Sequence, residues 1–189
     1  MGRMAAHWPE TLAPRFTSGA RVTRLDDRLW RLEIPAGPAG RYRLAQLDDY
    51  AALPRPGLPW QPPITLALRA RASAASLPGT WGFGLWNDPF GFSLGFGGNR
   101  RLPALPNTAW FFFASPENHL SLRDDLPVSG PLAAVFRSPH WPAWRYLLAA
   151  PLLPLMALPA LARLLRRMAR RYVQQDAASL ALDLAGWHT

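Results

Sequence analysis

Proline falls so often along this chain that no helix can run far, and most of the backbone must be built from short elements. There are 21 prolines and 14 glycines in 189 residues, and each proline removes a backbone donor and locks one dihedral. Between these breaks the apolar residues recur every second position, which is the periodicity of half-buried strands. Residues 22–25, 29–34 and 42–47 read as three such strands. Asp26-Asp27 and the Pro/Gly run at 35–40 part them with the turn chemistry of antiparallel neighbours. A Pro-rich loop at 54–63 precedes an alternating segment at 64–72 and a turn at 77–79. The densest pattern is at 79–96, where Trp81, Phe83, Trp86, Phe90, Phe92 and Phe96 are interleaved with glycine, as where one strand face is bulky and the other closely approached. Residues 107–115, carrying Trp110-Phe111-Phe112-Phe113, and 119–123 predict two more strands. The sheet pattern then lapses and resumes at 179–184.

The length suits one domain with a real core. The interval at 138–176 is expected to be a helical insertion. It holds an uncharged stretch at 146–162 that is broken by Pro151, Pro154 and Pro159, so a membrane-spanning helix of about 20 apolar residues does not fit. From Ala160 the period becomes helical, with Leu161, Leu164, Leu165, Met168 and Tyr172 on one face and Arg163, Arg166, Arg167, Arg170 and Arg171 on the other. The net charge is +9 and all 21 basic residues are arginine. Seven of them lie in residues 137–175, where there is no Asp or Glu, so the positive charge is local.

Two strand signatures carry a resemblance. Gly79-Thr80-Trp81-Gly82-Phe83-Gly84-Leu85-Trp86-Asn87-Asp88 resembles the G-x-W-x-x-x-W strand of the concanavalin A-like lectin/glucanase superfamily, which includes laminarinase-type glycoside hydrolases. Gly186-Trp187-His188 is similar to the opening of the W-H-x-Y-x-x-x-W strand of such domains. The resemblance covers roughly residues 20–135 and 177–189. It implies a mainly β chain forming an antiparallel two-sheet jelly-roll sandwich, interrupted by the helical insertion. It also implies a domain that stops before the Tyr-x-x-x-Trp continuation, as a C-terminally incomplete fragment would.

Catalysis of the family's kind requires a carboxylate pair about 5 Å apart, delivered there by E-x-D-x-x-E on one strand. That motif is absent, and no two of the glutamates, Glu10, Glu33 and Glu117, are close in sequence. No catalytic residue is therefore assigned, and a degenerate glycoside hydrolase with acids from separate strands, such as Glu33 and Asp88, is kept as the alternative. With no cysteine and the histidines His7, His119, His140 and His188 scattered, neither a thiolate site nor a zinc pair is expected. The pairs Asp26-Asp27, Asp48-Asp49 and Asp124-Asp125 lack the spaced ladder of a calcium loop and read as solvated turns. No metal and no cofactor is expected.

What remains is binding. Trp81, Trp86 and Trp110 are candidates for a platform stacking on sugar rings, with Asn87 and Asp88 hydrogen-bonding hydroxyls. The same residues fit core packing and a turn. The basic helix has two readings as well. In one it contacts an anionic membrane surface, with Leu161, Leu164, Leu165 and Met168 at the acyl boundary, Trp141 and Trp144 at headgroup depth, and Arg163, Arg166, Arg167, Arg170 and Arg171 on the lipid phosphates. In the other its apolar face covers the sheet. Nucleic acid is not expected, because the arginines and the strand aromatics lie far apart in sequence. The function expected is a non-catalytic carbohydrate- or glycolipid-binding module on a membrane periphery, and a protein-interaction domain is the further alternative. Residues 1–10 lack the apolar core of a signal peptide, so a cytoplasmic location is expected.

Overall fold

The computed structural model describes residues 12–38, 41–50, 53–58, 60, 63–89, 104–116, 118, 121–123, 125–141, 167–183 and 185–187. Among these, the architecture is mainly β, every strand pair is antiparallel, and helix is confined to a 3-10 turn at Arg55–Gly57 and a short helical stretch at 167–169. The chain divides into two compact units, one within Met1–Leu58 and Phe90–Arg101, the other within Pro59–Pro89 and Leu102–Thr189.

The first unit contains two strand pairs. Strand β1 (Ala13–Phe16) pairs with β4 (Ala45–Asp48), and β2 (Arg21–Arg24) forms a hairpin with β3 (Trp30–Glu33). The hairpin turn is built as its sequence suggests: Asp26 Oδ1 accepts the Arg28 N–H at 2.7 Å, and Arg24 reaches Asp27 Oδ1 at 3.0 Å. Asp48 departs from expectation. It is not in a solvated turn but buried at the end of β4, where its Oδ2 lies 3.4 Å from Arg15 and accepts from Gln46 Nε2 at 2.9 Å. The run at 35–40 does not make β3 and β4 ladder partners, because β1 takes that place along β4.

The second unit is organised by a four-stranded sheet in the order β5 (Thr80–Trp86), β6 (Thr108–Ala114), β7 (Gly130–Arg137), β8 (Gln174–Ser179). The registers Gly84↔Trp110, Trp110↔Ala134 and Ala134↔Ala177 put one continuous row across all four strands. Side chains alternate across a strand, so this row shares one face with the even-numbered residues of β5, β6 and β7 and the odd-numbered residues of β8. That face is the core: Leu132, Ala134 and Phe136 are buried, and Leu105, Leu122 and Val173 pack over it with Trp110 and Phe112. The opposite face carries Trp81, Phe83, Phe111, Phe113 and Val135. Its one end is covered by Ala72 and Leu77 against Trp81 and Phe113, while Phe111 and Val135 are exposed.

The glycines of β5 explain the tight pairing with β6. A Cβ on Gly84 would meet the Ala109 carbonyl and lie 2.7 Å from Trp110 Cδ1, and one on Gly82 would lie 2.6 Å from Phe112 Cβ. The close approach signalled by the Gly/aromatic alternation is thus made by the chain's own β6 aromatics, which occupy the space above the glycines.

Four expectations are corrected. Strand β7 was read as part of the lapse in pattern, because Pro131 and the small Ala133-Ala134 mask an alternation that buries Leu132, Ala134 and Phe136. The last strand lies at Gln174–Ser179 instead of 179–184, since buried Val173 and Gln175, with Ala177, pack on β7 and its neighbours despite the polar sequence. Residues 174–176, expected to belong to the helical insertion, are therefore strand, and helical backbone in the described residues before them ends at 169 in a turn closed by Tyr172 N–H to the Ala169 carbonyl at 2.9 Å. Ser121–Arg123, read as strand, is irregular, with His119 and Leu120 outside the described residues. Residues 64–72 alternate between exposed and less exposed as expected, yet only Ala70 makes a bridge. The continuation at 90–96 and the insertion at 142–166 lie outside the described residues.

Gly84→Ala is expected to lower stability by about 1–3 kcal/mol through overpacking against Trp110. Urea denaturation measures it, and an unchanged midpoint would contradict the close approach.

Candidate functional site

The proposed sugar platform has to be built from strands β5 and β6. Trp86 and Trp110 are brought together on the covered face, their rings 5.6 Å apart and tilted by 56°. Trp110 also meets Phe112 edge-on at 5.8 Å and Phe136 at 6.0 Å. Trp81, an odd number of positions from Trp86 along the same strand, is on the other face with Ala72 and Phe113. Its Nε1 is buried and has no hydrogen-bond partner among the described residues. The three tryptophans therefore do not form one surface. Next to the covered face a cavity of about 10 Å³, lined in part by Phe112, Leu132, Phe136 and Gln175, has room for about one water.

Asn87 and Asp88 are also drawn into the structure. Asn87 Nδ2 donates to the Leu105 carbonyl at 2.9 Å, and Asn87 Oδ1 accepts the Asn107 N–H at 2.9 Å. Asn107 in turn accepts the Ser138 N–H on its Oδ1 at 3.0 Å and donates to Ser138 Oγ at 2.9 Å. One relay of amide and hydroxyl groups thus ties together the ends of β5, β6 and β7. Asp88 follows in the left-handed region with φ of 48°, a conformation that Asp adopts more readily than most residues. It is only 1% exposed, so its carboxylate is closed to a polymer substrate. No group of three or more His, Cys, Asp or Glu side chains fit to hold a metal ion occurs among the described residues.

The basic segment presents a different surface. Of the residues assigned to it, Trp144, Leu161, Arg163, Leu164, Leu165 and Arg166 lie outside the described residues. The rest converge on the turn that leads into β8. Met168 is 50% and Tyr172 48% exposed, and Arg167, Arg170 and Arg171 are exposed beside them. Trp141, just beyond the end of β7, packs edge-on against Tyr172 with ring centres 4.8 Å apart. Arg170 Nε donates to the Leu122 carbonyl, which anchors the turn to the sheet. Nearby, the Arg123 guanidinium hydrogen-bonded to Asp125 holds that carboxyl below the usual carboxylate range. Arg167 and Arg171 form no ion pair among the described residues.

No helix among the described residues is long and apolar enough to cross a membrane. No family model, no curated protein and no solved structure matches the chain.

The part of this region that sequence reasoning missed is the Asn87–Asn107–Ser138 relay, whose members are widely separated in sequence and share no spacing. Asn87→Ala is expected to cost about 1–3 kcal/mol, because the Asn107 N–H and Leu105 carbonyl lose their partner. Thermal or urea unfolding reads this loss, and wild-type stability in the variant would show the relay to be incidental.

Proposed function

We propose that this chain is a non-catalytic module that attaches peripherally to an anionic, glycolipid-bearing membrane surface. The observation that carries the reading is the turn at 167–172, where two half-exposed apolar side chains, Met168 and Tyr172, stand among Arg167, Arg170 and Arg171. Exposed apolar groups of this size cost little when they enter a headgroup layer, and arginines beside them gain from anionic phosphate. Trp141, packed on Tyr172, supplies an amphipathic ring of the kind that favours the interface.

The finer reading keeps the concanavalin A-like jelly roll as the scaffold type and carbohydrate, in the form of a glycolipid headgroup, as the second determinant. The antiparallel β architecture supports the scaffold, and the Gly/Trp strand remains its most specific sequence feature. Because Trp110 packs against the buried cluster of its unit and Trp86 packs on Trp110, sugar contact is assigned to groups on the membrane-facing surface and not to that pair. The glycoside hydrolase alternative loses its best acid, since Asp88 is closed from solvent.

Co-sedimentation with phosphatidylserine-containing and neutral vesicles tests the proposal. Binding is expected only to the anionic vesicles, and the combined substitution Arg167→Gln, Arg170→Gln and Arg171→Gln should weaken it on the order of 100-fold, at about 1 kcal/mol per arginine. Equal binding to neutral vesicles, or none to either, would contradict it. A glycan panel that leaves tryptophan fluorescence unchanged would remove the carbohydrate determinant alone.

A further inference from the structure

A second cluster, separate from the basic turn, lies where the segment at 64–72 meets Trp187. In that extended segment the even-numbered residues are turned inward, ending at buried Ala72, and the odd-numbered ones are exposed. Arg69 and Arg71, two positions apart, therefore project on the same side. Both reach one indole: the Arg69 Cζ lies 5.4 Å and the Arg71 Cζ 4.7 Å from the Trp187 ring centre. Trp187 itself is 47% exposed. It is held by a turn in which Asp183 Oδ1 accepts the Ala185 N–H at 3.1 Å and the Asp183 carbonyl accepts the Gly186 N–H at 3.1 Å.

This cluster concentrates positive charge on one exposed ring. Two guanidinium groups gathered on one ring repel each other, and neither forms an ion pair with a carboxylate among the described residues. The indole face offsets part of that repulsion through its quadrupole, but it carries no net charge. A group with several negative oxygens offset from the ring would accept from both forks at once, and bidentate acceptance by arginine is strongest for phosphate and carboxylate. Phosphate has the oxygens and the charge to bridge two forks simultaneously, which a single carboxylate does less well.

We infer that Arg69, Arg71 and Trp187 form a phosphate-binding site. Its ligand is a phosphate group, free or on a lipid headgroup, held between the two guanidinium forks, with Trp187 as the apolar wall beneath it. The inference goes beyond the membrane reading and does not depend on the turn at 167–172.

The test uses the full chain and two arms. In the first, inorganic phosphate is titrated at constant ionic strength against chloride, and acrylamide quenching of Trp187 is read as the difference between the wild type and Trp187→Phe. Phosphate is expected to shield Trp187 in the wild type and not in the Arg69→Gln, Arg71→Gln double variant. The Arg69→Lys, Arg71→Lys variant, which keeps the charges but lacks the forks, should bind phosphate about tenfold more weakly than the wild type. Far-UV circular dichroism confirms that each variant is folded. In the second arm, phosphatidic acid vesicles replace free phosphate. Binding weakened about tenfold or more in the glutamine variant assigns the site to lipid headgroups, and unchanged vesicle binding alongside lost phosphate shielding assigns it to free phosphate. Shielding that is absent in the wild type, or equal in the wild type and the glutamine variant, overturns the inference.

Discussion

The sheet of the second unit depends on one steric arrangement, the seating of β6 aromatics over β5 glycines. With any side chain at Gly84 the Trp110 ring could not lie where it does, and Trp110 is the residue that links Trp86, Phe112 and Phe136 into one packed layer. Leu132, Ala134 and Phe136 of β7 are buried beneath that layer, and Val173 closes it from the far side of the chain. Glycine in a strand interior weakens the strand by itself. Here the loss is offset by aromatic surface brought close to the backbone and removed from water.

That arrangement also decides what the tryptophans are available for. Trp110 spends ring surface on Trp86, Phe112 and Phe136, and the Asn87 amide is committed to Leu105 and Asn107. The proposed partner contacts are placed on side chains that the core leaves outside. These are arginines with aromatic neighbours, in the turn at 167–172 and beside Trp187. Arginine beside an aromatic ring suits a boundary where apolar and anionic groups occur together. The absence of lysine in the chain makes each basic contact a planar fork.

Much of this fold was legible in the sequence. Strands β2 to β6 lie, to within a residue, inside runs read as strands from the sequence, and the burial of 64–72 follows its alternation residue by residue. The separation of Trp81 from Trp86 was legible too, since five positions along a strand place them on opposite faces. What local pattern could not supply was pairing. The residues of β7 gain their role from partners on both sides, and β8 is polar in sequence yet held by Val173 and Gln175 facing inward. Asp48 looked like turn solvent because the pattern shows nothing of Arg15, which the β1–β4 pairing brings beside it. The candidate site divided in the same way: the arginines at 167–171 were visible as local charge, although their period suggested a helix where residues 170–172 form a turn, while the Arg69–Trp187–Arg71 cluster joins segments more than a hundred residues apart.

The central claim is that the packed tryptophan layer is scaffold and that the surface around 167–172 does the binding. Hydrogen–deuterium exchange of the full chain, with and without anionic vesicles, tests both halves at once. The account predicts slow exchange at 108–114 and 130–137 that vesicles leave unchanged, together with new protection at 167–172. Unchanged exchange at 167–172 with altered protection at 80–86 and 108–114 would contradict it and return the binding role to the tryptophan strands.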